Sequence, residues 1–390
     1  MEQMGQSYEK QAKSGKLVSC TVTSGVKVLF IQANEYASGL YRIGHIAEAL
    51  EKLNGEIVVD YFNRGDSADN FLFRIGGSDV IVFQLQTDAM IAEIIPVCKE
   101  AGIPVVMDMD DDLLNVPEWN PSYFDLGRKF SNAFISNDGR KMNVKNNIEK
   151  LKTIRQILRD VSLITVTGKG LRNAYSRYNK VKILPNSVDP KKIKPSKRSG
   201  MFSKKVRIFW QGSQTHLADL GNIKGVVQRV TEQFPEVQWM IWGSMYKNFA
   251  TFMGIPEDRV ETKETVPFAD YYKQLRKIKM DIGICPLIQH SYNECKSNIK
   301  WLEYSLCGIP TVATDIITYE AIRHEETGFL AKNNEEWFYY LAELIKSPRL
   351  RKKMARAAKE QVLQDFNIHS NIKMWEATLL KLHNDNSKKI

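Results

Sequence analysis

Lys296, Lys300 and Glu303 are spaced to share one narrow stripe of a helix in the segment NECKSNIKWLEYSLCGIP, residues 293–310. Beside them runs an apolar stripe of Ile299, Leu302 and Leu306. The chemistry open to such a set is recognition of phosphate and hydroxyl groups. A helix start offers unpaired N–H groups and partial positive charge to a phosphate. Ser297 fits an N-cap there, next to Asn298, and the two lysines add formal charge at the same point. Glu303, two turns in, can accept hydrogen bonds from neighbouring sugar hydroxyls. Gly308 then permits a left-handed helix end, and Pro310 opens the next strand. Diphosphate at the helix start with ribose at Glu303 makes a nucleotide-sugar site. A surface ion pair between Lys300 and Glu303 explains the same spacing equally well.

Three other segments carry polar chemistry. FWQGSQTHLADL (209–220) has the turn Gly212-Ser213, whose backbone N–H groups can approach a phosphate, then His216 and Asp219 within reach of sugar or phosphate. SGLYRIGHIAEAL (38–50) offers Ser38, Gly39 and Arg42 to the transferring phosphate or the acceptor. MDMDDDLLNVPEWNPSY (107–123) holds four acids within five positions, Asp110 and Asp111 among them, near Trp119 and Tyr123. These residues suit a sugar or acceptor pocket; an Asp-rich helix N-terminus is the alternative.

The elements that must position these residues recur along the chain. Short apolar runs at 26–32, 56–62, 79–85, 103–109, 162–167 and 181–186 alternate with helical patterns such as 40–53 and 87–102. The pattern restarts with strands at 206–212, 237–243, 259–264, 280–287 and 310–315, with helices such as 268–278 between them. Nearly continuous apolar strands alternating with helices predict parallel sheets covered on both faces. A chain of 390 residues is too long for one core, so two α/β domains are expected. The expected division is a leader at 1–24, a first domain at 25–190, a basic linker at 191–205, a second domain at 206–368, and a C-terminal helix at 369–390 that packs back on the first domain. In parallel sheets ligands bind at the carboxyl ends of strands, so the chemistry belongs in a cleft between the domains.

KSNIKWLEYSLCGIPTVATDI, followed by YEAIRHEETGFLAKNNEEWFYYLAELI, resembles the donor-binding half of GT-B glycosyltransferases, especially the retaining family 4. That family has an acid, seven intervening residues, then a glutamate leading into CG-x-P and a strand. Glu303 and CGIP (307–310) match the second half of the pattern, whereas Cys295 stands where the first acid is expected and Glu294 is one place out of register. The TGFL turn (327–330), with Glu325 and Glu326 nearby, and LPNSVD (184–189) also fit the family. Its usual basic pair after the first strand of the second domain is reduced to Lys224.

The resemblance implies two Rossmann-like domains facing a central cleft and transfer of a sugar, most simply a hexose, from a nucleotide-diphosphate donor to an acceptor hydroxyl, with retention. It implies no obligatory cofactor and no metal site, so the D-x-D form of Asp108 and Asp110 is discounted as a metal ligand. Lys300 is then the catalytic cation, with Lys296, Ser297 and Asn298 beside it at the diphosphate and Glu303 at the ribose. Gly212, Ser213 and His216 complete the donor side; Asp110 or Asp111 lies near the acceptor, with Ser38, Gly39, Arg42 and Trp119.

A net charge of +10 implies an acidic partner, such as modified DNA, a phosphate-bearing glycan, a lipid-linked acceptor or a membrane surface. Residues 191–205 alone hold seven basic side chains and no acid. The rival reading is a non-catalytic nucleic-acid- or membrane-binding protein. The absence of a G-x-G-x-x-G run after a strand argues against a dinucleotide-dependent oxidoreductase. The five cysteines have no C-x-x-C pairing, which fits a reducing cytoplasm, free or at a membrane surface. The polar N-terminus does not have the form of a signal peptide.

Overall fold

The computed structural model describes residues 25–62, 68–127, 144–196, 205–243 and 248–388. The expected leader and linker positions 197–204 lie outside these residues. The first six strands are β1 (Val26–Ile31), β2 (Ile57–Phe62), β3 (Val80–Gln84), β4 (Val105–Met109), β5 (Leu163–Val166) and β6 (Val181–Ile183). They form one parallel sheet in the order β2-β1-β3-β4-β5-β6. The second set is β7 (Val206–Gln211), β8 (Val237–Trp242), β9 (Val260–Lys263), β10 (Ile282–Cys285), β11 (Thr311–Thr314) and β12 (Phe329–Ala331). Its order is β12-β11-β10-β7-β8-β9, again parallel. β12 falls where the sequence reading has only the TGFL turn.

Both sheets are apolar on both faces because helices cover both. Leu29, Ile31, Ile81 and Phe83 pack with Ile91, Ile95, Ile154 and Leu158 on one side of the first sheet. Val28, Phe30, Val80 and Val82 pack with Ile46 and Leu50 on the other. The latter face also takes Ile372, Trp375 and Leu379 of the helix Ile368–Ser387, so the end of the chain covers the first sheet. In the second sheet Ile208, Trp210, Trp239 and Ile241 meet Val227, Val230, Leu341 and Leu344.

The strand orders reverse between β1 and β3 and between β7 and β10. The crevice at such a reversal, outside the carboxyl ends of the strands, is where open parallel sheets bind ligands. The helix Ile299–Cys307 sits against the second of these points and is held very close to β10. A Cβ built on Gly283 would stand 2.4 Å from the Tyr304 ring, so only glycine allows the approach. Gly308 ends that helix in the left-handed conformation (φ 78).

Three local expectations are corrected. The helix Ile299–Cys307 is not an amphipathic surface helix, since every residue from Trp301 to Cys307 is buried. Its N-cap is Asn298 rather than Ser297, and no side chain caps it. The Asp-rich run after β4 begins no helix; Asp112 instead accepts from the Leu114 N–H in a tight turn.

Candidate functional site

Polar side chains from both domains converge at the carboxyl ends of β1, β4, β7 and β10. From β7 the chain turns through Gly212 and Ser213 into a short 3-10 turn, Gln214–His216. His216 Nδ1 lies 2.8 Å from Asp219 Oδ2. Asp219 Oδ1 accepts from the Ile288 N–H (2.9 Å) and from Asn293 Nδ2 (2.8 Å), both in the segment that leaves β10. On the other side of the imidazole, Lys300 Nζ is 3.1 Å from His216 Nε2. The order is carboxylate, imidazole, ammonium.

Burial, reinforced by the Lys300 charge, pushes the His216 pKa down to about 4 despite its bond to Asp219. The ring is therefore neutral at neutral pH. With Asp219 accepting only, the proton belongs on Nδ1, which leaves the Nε2 lone pair to accept from Lys300. Burial also lowers the Lys300 pKa, with Asp219 and Glu303 acting against it. Among the described residues no carboxylate is in ion-pair contact with Lys300. It is a part-buried cation whose hydrogen bond goes to a neutral ring.

Lys296 is committed differently. Its ammonium reaches across the cleft to Asp111 Oδ1 (2.7 Å) and donates to the Tyr292 hydroxyl (3.0 Å). Burial alone would lower its pKa, but Asp111 and Tyr292 outweigh that and hold it well above the usual lysine value. Lys296 and Asp111 thus join the domains. Asp110 is left beside them: its Oδ1 is shut off from solvent and has no hydrogen-bond partner among the described residues. Burial, then the neighbouring Asp111 and Asp108 charges, push the Asp110 pKa up to about 7. Trp119, on the same loop, meets the rings of His290 and Tyr292 edge-on at 5.9 and 6.0 Å.

Glu303 is almost completely buried and its carboxylate is fully engaged. Oε1 accepts from the Tyr41 hydroxyl of the first domain (2.6 Å), and Oε2 accepts from Tyr271 (2.7 Å) and from Gln211. Tyr272 donates in turn to the Tyr41 oxygen (3.0 Å). Burial raises the Glu303 pKa, and these three donors pull it back only in part. Lys300 and Glu303 are thus not an exposed surface ion pair; each has its own partners.

Arg42, expected in the cleft, is removed from it. It is fully buried and bidentate to Asp108 (2.9 and 2.7 Å), with further bonds to the Leu184 carbonyl (2.7 Å) and Asn186 (3.1 Å). Its position follows from helix geometry: the turn Leu40–Gly44 is π-helical before the helix His45–Leu53 begins, and Tyr41, Arg42 and Ile43 are all buried. Asp108 also accepts from Thr165 (2.6 Å), so its carboxylate is engaged within the first domain. Ser38 bonds Asn34 (3.0 Å) at the rim, and Gly39 is buried against the Asn34 carbonyl. Ser213 reaches the Thr215 hydroxyl (2.7 Å).

Lys224 is exposed on the next helix, near the Phe252 ring, and does not join the cluster. Cys295 packs in the first domain's core with Leu171 and Tyr175, while Glu294 is exposed. Tyr41, Tyr271, Gln211 and Tyr292 escaped the sequence reading, because only three-dimensional proximity marks them. The pair of tyrosines in FADYYKQL was the nearest thing to a signal.

Residues 224–377 match the sequence profile of a family described as Glycosyl transferase-like. No curated protein matches the chain in sequence. Among solved structures, HepE of Anabaena in complex with UDP and glucose is similar, with a TM-score of 0.63 and 14% identity over 91% of this chain and 100% of that one. A sucrose-phosphate synthase from Thermosynechococcus elongatus has a TM-score of 0.64 and 11% identity, covering 93% of this chain and 100% of that one. A glycosyltransferase from Rickettsia africae has a TM-score of 0.62 and 12% identity, covering 92% and 98%. These likenesses establish the fold: two Rossmann-like domains in the GT-B arrangement. The match of residues 224–377 to a glycosyl transferase-like profile bears out the enzyme class read from the sequence, a glycosyltransferase.

Proposed function

We propose that this chain, a GT-B glycosyltransferase, moves a sugar from a nucleotide-diphosphate donor to an acceptor hydroxyl, with retention and without an obligatory metal. The observation that carries the donor reading is Lys300, a part-buried ammonium at the switch point of the second sheet with no carboxylate among the described residues in ion-pair contact. A diphosphate supplies the missing negative charge. Ser297 and Asn298 immediately precede the helix that carries Lys300, and the Gly212-Ser213 turn follows β7, the strand beside β10; in this reading they meet the same diphosphate. Glu303 takes the ribose diol: its two oxygens each hold a phenolic hydroxyl now, which is the pattern a vicinal diol would reproduce. HepE, with UDP and glucose bound, lends support to a UDP-sugar donor.

In the reaction the bond between the anomeric carbon and the diphosphate oxygen breaks, and its electron pair leaves with the nucleoside diphosphate. The acceptor oxygen bonds the same carbon on the face the leaving group vacates, and its proton passes to the Asp110 carboxylate, whose pKa of about 7 suits a group that must take a proton and release it. Lys300 stabilises the charge growing on the leaving group. Asp111 is given to Lys296 and serves to hold the domains together. The acceptor is acidic in this reading, in keeping with the net charge of +10. It is a modified DNA, a phosphate-bearing glycan or a lipid-linked chain, met in the cytoplasm or at a membrane surface. No described helix is long and apolar enough to cross a membrane. The residues at 25–190 and 206–368 act as acceptor and donor domains.

The test is a screen of UDP-, GDP- and ADP-sugars for thermal stabilisation and slow hydrolysis, followed by Lys300→Met. That variant should lower kcat/KM by about 10²–10³-fold while the protein stays folded. Wild-type turnover in Lys300→Met would end the donor assignment.

A further inference from the structure

The cleft holds one chain of contacts that the reaction above does not use. Asp219 is buried and both its oxygens are engaged: Oδ1 accepts from the Ile288 N–H and from Asn293, and Oδ2 meets His216 Nδ1. The imidazole is therefore tethered at one nitrogen and presents the other to Lys300 at 3.1 Å. A lysine side chain has four rotatable carbons and finds its own orientation poorly. A diphosphate grip built on a single lysine needs that orientation supplied from outside.

We propose that His216 is a positioning residue for Lys300: held by Asp219 in the Nδ1–H form, it accepts a hydrogen bond from the ammonium at Nε2 and aims it at the donor diphosphate. This rests on the reading of Lys300 as the cation that meets the diphosphate. His216 itself does not touch the donor. Asp219 acts one step further back, and because its other oxygen binds the segment leaving β10, it ties the Lys300 orientation to the two strands of the switch point. The charged and titratable groups around the pair are Asp219 and Lys296 near His216, and Cys285, Asp219, Lys296 and Glu303 near Lys300.

The experiment compares wild type, His216→Ala, His216→Gln and Lys300→Met in hydrolysis of UDP-, GDP- and ADP-glucose across the pH range, together with ring-nitrogen NMR of wild type. His216→Ala should lower kcat by about 10–100-fold with the donor KM changed little, since a cation displaced by about an ångström fails mainly at the transition state. His216→Gln places an amide oxygen close to the Nε2 position and should recover most of that loss. In His216→Ala the alkaline fall in kcat should move to lower pH, because an ammonium that loses its acceptor gives up its proton more easily.

NMR should show an Nδ1–H ring with Nε2 unprotonated at neutral pH. A ring protonated at Nε2, an alkaline limb unmoved in His216→Ala, or a Gln variant no better than Ala would each overturn the positioning role. If Lys300→Met is inactive while His216→Ala is normal, only the positioning role falls. If Lys300→Met is active, the donor assignment falls and the positioning role with it.

Discussion

Asp110→Asn should make the protein more stable in mildly alkaline solution while removing most of its transferase activity. The Asp110 carboxyl has an unpartnered oxygen closed off from solvent and two carboxylates as neighbours. Its pKa of about 7 compares with 3.8 for a free side chain. Between those values the folded protein keeps a proton that the unfolded chain has lost. Stability from this group is therefore full below about pH 4 and is lost as pH rises through about 7. Some three units at about 1.4 kcal/mol each set a ceiling of about 4 kcal/mol, and the part-exposed side chain reduces this to roughly 1–2 kcal/mol.

Asparagine has the same shape and no charge to bury, so it should avoid the loss. Urea unfolding of both proteins at pH 5 and pH 8 reads the difference. The advantage of Asn over Asp should grow by about 1 kcal/mol or more from the lower to the higher pH. Transfer to an acceptor should fall by about 10²-fold or more, with donor affinity unchanged. An advantage that is the same at both pH values would refute the buried-carboxyl argument, and full transferase activity would remove Asp110 from the acceptor side.

Other consequences can be measured alongside. Tyr41→Phe removes a hydroxyl from Glu303 that the ribose must otherwise displace, so UDP should bind about fivefold tighter by calorimetry while stability drops by about 1.5–3 kcal/mol; weaker UDP binding would count against the ribose assignment. Arg42→Met leaves Asp108 charged and uncompensated inside the first domain and should cost about 3–5 kcal/mol in urea unfolding; a loss under about 1 kcal/mol would contradict its structural role. Excess EDTA should leave transfer rates unchanged, and activity that vanishes with EDTA and returns with a divalent ion would overturn the metal-free mechanism.

The strands could be read in the sequence because a sheet covered on both faces needs nearly unbroken apolar runs, and β1, β3, β4, β7, β8 and β10 all have them. β12 could not, since three residues of Phe-Leu-Ala carry no period. The region of the site was legible for the same reason: strand ends are visible wherever strands are. What each residue does there was not. Lys296 and Lys300 lie four positions apart in the sequence, yet one is neutralised from the other domain and one is not. Arg42 stands in the right loop, but its π-helical turn points it inward to Asp108. The Tyr41–Glu303 bond joins residues 262 positions apart, a separation no local pattern reports.

The two ends of the proposed donor site differ in what binding must undo. At the diphosphate end Lys300 has no ion-pair partner among the described residues, and its hydrogen bond to a neutral ring aims it in the proposed reading. A phosphate can meet it without breaking any contact between the domains. At the ribose end Glu303 is closed by Tyr41 of one domain and Tyr271 and Gln211 of the other, so a diol must replace phenols that are themselves buried. The Lys296–Asp111 pair holds the same cleft shut a few residues away. Attraction of the donor is thus local and electrostatic, whereas seating its nucleoside requires the domains to part at Tyr41. In the proposed site the charge that would recognise the donor and the contact that would resist it sit on one helix, three residues apart, so the diphosphate would engage before the ribose displaces the first domain's hold.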